Sequence, residues 1–96
     1  MTFQEFQENI SPQERVAISC KLREFPLRYS YGGAFKLLTD IERGKMIEAA
    51  LNYCFEGKEA SFDDIYMQMM FEVIKGDINF AAYEEYEYMH INMEGE

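Results

Sequence analysis

Tryptophan is absent from this chain, histidine occurs once (His90), and cysteine and proline occur twice each (Cys20, Cys54, Pro12 and Pro26). Each scarcity excludes something. Two cysteines and one histidine cannot assemble a zinc pattern or a disulfide framework, so the thiols are expected to be reduced and packed as small apolar groups. Neither cysteine has a histidine partner in a nucleophile pattern, and Gly32-Gly33 lacks the residues that would make it a phosphate-cradling loop. Asp63 and Asp64 are adjacent and therefore divergent on a helix, and no calcium-loop spacing is present. These absences predict a protein that is not an enzyme and holds neither metal nor cofactor. No apolar run approaches the roughly 20 residues of a membrane span, and Glu5 and Glu8 near the start do not fit a secretory signal. The expectation is a cytoplasmic protein with no membrane association.

Basic residues are scarce in one region only. Residues 1–55 balance seven acids against seven bases, whereas residues 56–96 carry eleven acids against Lys58 and Lys75, so the whole formal charge of −9 belongs to the last two-fifths. Such a field repels nucleic acid and acidic lipid and attracts basic protein surfaces. Between Arg15 and Lys45 seven bases face Glu24, Asp40 and Glu42, which leaves open either a homodimer pairing this half with the acidic end or an internal balance in which Arg23 and Arg28 fold under the acidic helix.

What is plentiful is helix punctuation and large side chains. Hydroxyls stand three residues before carboxylates at Thr2/Glu5, Ser11/Glu14, Thr39/Glu42 and Ser61/Asp64, the spacing that satisfies the first unpaired amides of a helix. Pro12 strengthens the second. With 48% hydrophobic residues, eight Phe, seven Tyr and seven Met, 96 residues can fill one core. The expected fold is all-α, a single domain of four to five helices ending in a long C-terminal helix, with residues 87–96 as a flexible acidic tail. Phe3, Phe6 and Ile10 mark a first helix. Val16, Ile18, Cys20 and Leu22 alternate like a strand, but the cap at Ser11 favours a helix from Pro12 to about Glu24, broken before Pro26. A short helix or turn follows over 29–38. The helix over 40–56 is the clearest: Ile41, Gly44, Ile47, Leu51, Cys54 and Phe55 fall on one stripe and Gly57 stops it. A glycine inside that stripe predicts close approach by another helix. From Phe62 the chain reads as helix, buried on nearly all sides to Ile74. Beyond Gly76 a narrower stripe of Ile78, Ala81 and Ala82 extends the line of Met67, Phe71 and Ile74 as the helix leaves the core.

Leu37-Leu38-Thr39-Asp40, Gly44-Lys45, Asn52-Tyr53, Gly57, Phe71, Ile74-Lys75, Asp77 and Tyr83-Glu84-Glu85 together resemble a family of short helical phage and prophage domains found near replication functions and likened to replisome organisers. The resemblance covers about residues 35–86 and implies no catalytic residue. Members of that family continue into a segment rich in Lys, Arg, Asn and Gly; here the same position runs into Tyr86-Glu87-Tyr88 and ends in Glu94-Gly95-Glu96. Direct nucleic-acid binding is therefore not expected.

On a helix over 77–88, Asp77, Phe80, Glu84, Glu87 and Tyr88 share one face with Glu85 at its margin. Four carboxylates in about 15 Å give one charge per roughly 4 Å, near the about 3.4 Å per charge of one DNA strand. With Asp63 and Asp64 nearby, this face could occupy a groove built for phosphate, its aromatic rings stacking on guanidinium planes. Two functions follow as expectations. The first is inhibition of a nucleic-acid-binding host machine, such as a nuclease, by a DNA-mimicking face, as in small acidic anti-CRISPR proteins. The second is an assembly module of phage DNA replication that self-associates or docks on a replication protein, with apolar residues such as Phe3, Phe6 or Phe80 making the contact. The plainest reading of the same face is solvation.

Overall fold

A computed structural model describes residues 1–22 and 31–94, and the side chains of those up to His90. Among the described residues there are five helices and no strand: α1 (Phe3–Asn9), α2 (Pro12–Ser19), α3 (Tyr31–Phe35), α4 (Asp40–Glu56) and α5 (Ile65–Glu94). Thirty residues at about 1.5 Å each make α5 some 45 Å long, so it accounts for the longest dimension of the molecule, 49 Å. α1, α2 and α4 all pack on α5, and α2 also packs on α4.

Three of the caps form as the sequence implies. Thr2, Ser11 and Thr39 accept from the amides of Glu5, Glu14 and Glu42. At Thr39 the box is complete, because its own amide donates to Glu42 Oε1 at 2.8 Å. The fourth differs: Asp64, not Ser61, is the cap, accepting from the Met67 amide at 3.0 Å, so α5 starts at Ile65. α2 ends at Ser19, before the expected Glu24. The predicted break at Pro26 lies outside the described residues, and of the 29–38 element the structure shows a helix over Tyr31–Phe35 and a turn into buried Leu38. α4 ends on Gly57 in the left-handed conformation, with Lys58 N–H donating to Asn52 C=O at 3.2 Å.

The core runs along one line of α5: Met67, Phe71, Ile74, Ile78 and Ala82 are buried. Full burial of side chains such as Phe71, Ile74 and Ile78 contributes about 1.5–3 kcal/mol each. Against this line α4 sets Met46, Ala49, Ala50, Tyr53 and Cys54. That corrects the expected stripe: Ile41, Ile47, Leu51 and Phe55 are exposed, and only Cys54 of the predicted set is buried. α4 carries two apolar stripes at helical spacing, and the one containing Met46, Ala49, Ala50, Tyr53 and Cys54 faces inward. Gly44 falls on the outer face, where an added Cβ would meet nothing within 4 Å, so it marks no helix contact.

Two further expectations are overturned on α5. Its first half is buried on one side only, leaving Ile65, Met69 and Val73 exposed. Its second half does not leave the core, because α1 folds back over it. Phe6, Ile18 and Ala82 form a second buried cluster, flanked by Phe3, Tyr83 and Tyr86. Phe3 meets Phe80 edge-on at 5.2 Å, and Phe6 lies between Tyr83 and Tyr86.

Arg15 joins the parts. Buried on α2, it donates to Ser19 Oγ at 2.9 Å, to Cys54 C=O at 2.8 Å and to Tyr53 C=O, with its guanidinium 4.3 Å from the Tyr53 ring centre. It places a cation on carbonyls at the negative end of α4, which compensates the charge by the helix dipole without a carboxylate.

Candidate functional site: the outward face of alpha5

Beside its buried line, α5 carries Tyr66, Met69, Val73, Asp77, Phe80, Glu84 and Glu87/Tyr88 at steps of three and four residues, a strip about 33 Å long that α1 covers at Phe80. The face changes character midway. In its first half Ile65 is 79%, Met69 64% and Val73 60% exposed. Here α3 forms a bank, and Tyr31, Ala34, Tyr66, Met69, Met70 and Val73 line a groove of about 590 Å³ that ends at Asp77. Two hydrogen bonds hold that bank: Tyr66 Oη donates to Ala34 C=O at 3.3 Å, and Tyr31 Oη donates to the Asp77 carboxylate.

The second half holds most of the acids the sequence singled out, in unequal roles. Asp77 is half-buried and engaged by Tyr31. Phe80 is half-buried under Phe3. Glu87 is half-buried, its Oε1 3.6 Å from the amino group of Met1. Glu85 is half-buried, while Glu84 and Tyr88 are exposed. Asp63 and Asp64 are exposed at the opposite end of α5, twenty residues or about 30 Å before Glu84, and Asp64 is occupied as a cap. They are therefore not neighbours of the 77–88 face.

Three of the described bases, Arg15, Arg43 and Lys75, are engaged away from Glu84. Arg15 holds α4. Arg43 donates to Phe35 C=O at 2.7 Å and pairs with Asp40 at 2.8 Å. Lys75 pairs with Glu59 at 2.7 Å and Glu72 at 3.4 Å. Burial alone would lower the Lys75 pKa, but the Glu59 hydrogen bond and charge outweigh it and hold the ammonium above its ordinary value. The expected folding of Arg23 and Arg28 under the acidic helix lies outside the described residues.

Neither cysteine joins the face. Burial pushes the Cys54 thiol up, against the opposing pull of Arg15 and Ser19, and Cys20 is exposed as the residue that caps the end of α2. No three His, Cys, Asp or Glu side chains converge as a metal site among the described residues, and none of those helices is long and apolar enough to cross a membrane.

Sequence reasoning missed Tyr66, Met69 and Val73, though a signal was present: the three-four spacing of Asp77, Phe80 and Glu84 extends backward onto them. Tyr31 and Ala34 carried no such signal, because only the fold brings α3 beside α5. Residues 24–87 match the model of a family of unknown function, DUF6291. No curated protein and no solved structure matches the chain.

Proposed function

This chain belongs to the family of unknown function DUF6291, and we propose that it is a non-catalytic docking module that receives a basic amphipathic helix of a partner protein along the outward face of α5. The observation that carries the reading is the change along that face, from the exposed Met69 and Val73 beside the α3 bank to the exposed Glu84. An apolar stripe inserted in the groove, followed by Lys or Arg over the carboxylates, complements both halves at once. Every wall of the groove lies within residues 24–87, the part of the chain the family model covers. A replication protein of a phage, or a nuclease, carries basic segments of this kind.

The test uses two labelled peptides of about 20 residues, one built of Leu/Lys heptads and one of Leu/Glu heptads, with binding followed by fluorescence anisotropy. The Leu/Lys peptide binds and the Leu/Glu peptide does not. Replacing Met69 and Val73 together by Ser, both exposed and so tolerated by the fold, weakens binding at least about tenfold, the equivalent of about 1.4 kcal/mol. Unchanged affinity in that double variant, with helical circular dichroism preserved, overturns the reading.

The exposure of Glu84 and Tyr88 favours a second reading, inhibition of a nucleic-acid-binding machine by the acidic half alone. Under it, Glu84→Lys with Glu85→Lys abolishes binding to a basic surface, the serine variant does not, and affinity falls steeply with salt. Phe3, Phe6 and Phe80 belong to the packing of α1 on α5 under either reading and are not exposed contact residues.

A further inference from the structure

A second cavity, of about 340 Å³, opens where α1, the start of α2, the end of α4 and α5 meet, and its walls include Phe6, Ile10, Arg15, Tyr53 and Asn79. Its polar groups are unequally satisfied. Arg15 is 6% exposed and spends three of its five N–H groups on Ser19 Oγ and the Tyr53 and Cys54 carbonyls. Among the described residues its Nε–H and the second Nη2 hydrogen have no acceptor, and its charge is met by the α4 dipole and the Tyr53 ring and by no carboxylate. Tyr53 Oη donates to Asn79 Oδ1 at 2.9 Å, which fixes the amide and leaves its Nδ2–H₂ group without an acceptor among the described residues. Glu59, also on the rim, is paired with Lys75. The lining therefore combines a cation that pairs with no carboxylate among the described residues, an amide with spare donors, and the apolar Phe6, Ile10 and Pro12.

We propose that this cleft binds a small monocarboxylate with an apolar body. The carboxylate takes the spare donors of Arg15 and Asn79, and the body packs on Phe6, Ile10 and the Tyr53 ring. The cavity volume suits a ligand of about ten heavy atoms. Because Phe6 and Ile10 come from the α1 segment, the bound ligand also ties that segment to α2 and α4. Phe6, Ile10 and Arg15 precede the family match, whereas Tyr53 and Asn79 lie within it.

Benzoate is the probe and benzamide its neutral counterpart, titrated into the ¹⁵N-labelled full chain and followed by the Arg15 Nε–Hε and Asn79 side-chain resonances. Benzoate shifts both saturably; benzamide binds at least about tenfold more weakly. Replacing Arg15 would also strip the end of α4 of its cap, so the decisive variant is Asn79→Asp. It keeps an acceptor for Tyr53 Oη and an almost identical shape, and it sets a carboxylate against the ligand's own. Benzoate affinity falls at least about tenfold in that variant while backbone resonances elsewhere stay in place. Equal binding of benzoate and benzamide, an unchanged affinity in Asn79→Asp, or the absence of saturable shifts at Arg15 overturns the proposal.

Discussion

Two glycines of α4 show how the same residue type has opposite consequences. Gly44 lies in the helix interior facing open space, so Gly44→Ala removes a helix-propensity penalty without a clash and raises stability by roughly 0.5–1 kcal/mol. Gly57 sits at φ 73°, and a Cβ there would stand 3.0 Å from Val16 Cγ2. Gly57→Ala therefore lowers stability by about 1 kcal/mol or more, through left-handed strain and pressure on α2. Urea denaturation of the two variants checks both signs. The sequence placed both glycines in or beside a helix; that Gly44 meets nothing depends on which face of α4 turned inward, a fact absent from its local pattern.

At the scale of elements, α1 is held to α5 by aromatic rings and by Tyr83 Oη donating to Met1 C=O at 2.8 Å. Phe6 is its one fully buried side chain, so Phe6→Ala costs about 3 kcal/mol, concentrated locally. Hydrogen exchange then shows fast amides over residues 3–9 while those of α4 and the first half of α5 keep their protection. Equal loss of protection in all helices would mean that α1 belongs to the main cooperative unit. The first helix was legible from Thr2, Phe3 and Phe6. Its landing place was not, because the second half of α5 reads as surface helix until α1 is laid on it.

Across the whole molecule Arg15, Arg43 and Lys75 are spent on architecture, and Glu84 on α5 is left to face outward. Lys75 shows the linkage. Its folded pKa is raised, so its contribution is fully present below the unfolded lysine value of about 10.4 and is lost as pH rises through the folded value. The difference in thermal midpoint between the native chain and Lys75→Gln should be constant from pH 7 to about 9 and shrink above about 10.5. A difference independent of pH up to 12 would assign the role of Lys75 to packing against Tyr53 and Phe71, over whose rings its ammonium lies at 5.3 and 5.6 Å. The outward α5 face has the same whole-molecule origin: its acids were readable from residues 77–88, while the groove that makes half of it apolar exists only because α3 lies alongside.

Local terms determined the helices. Caps at Thr2, Ser11 and Thr39, a stop at Gly57 and periodic apolar residues act within a few positions, so the chain alone specifies the all-α class, the starts of α1, α2 and α4 and the end of α4. Tertiary structure decided which of two stripes on α4 is core, which side of the apolar start of α5 stays exposed, and how Arg15 is used. Those choices depend on what each face meets, and residues such as Arg15 and Cys54, 39 positions apart, meet only after the helices have packed.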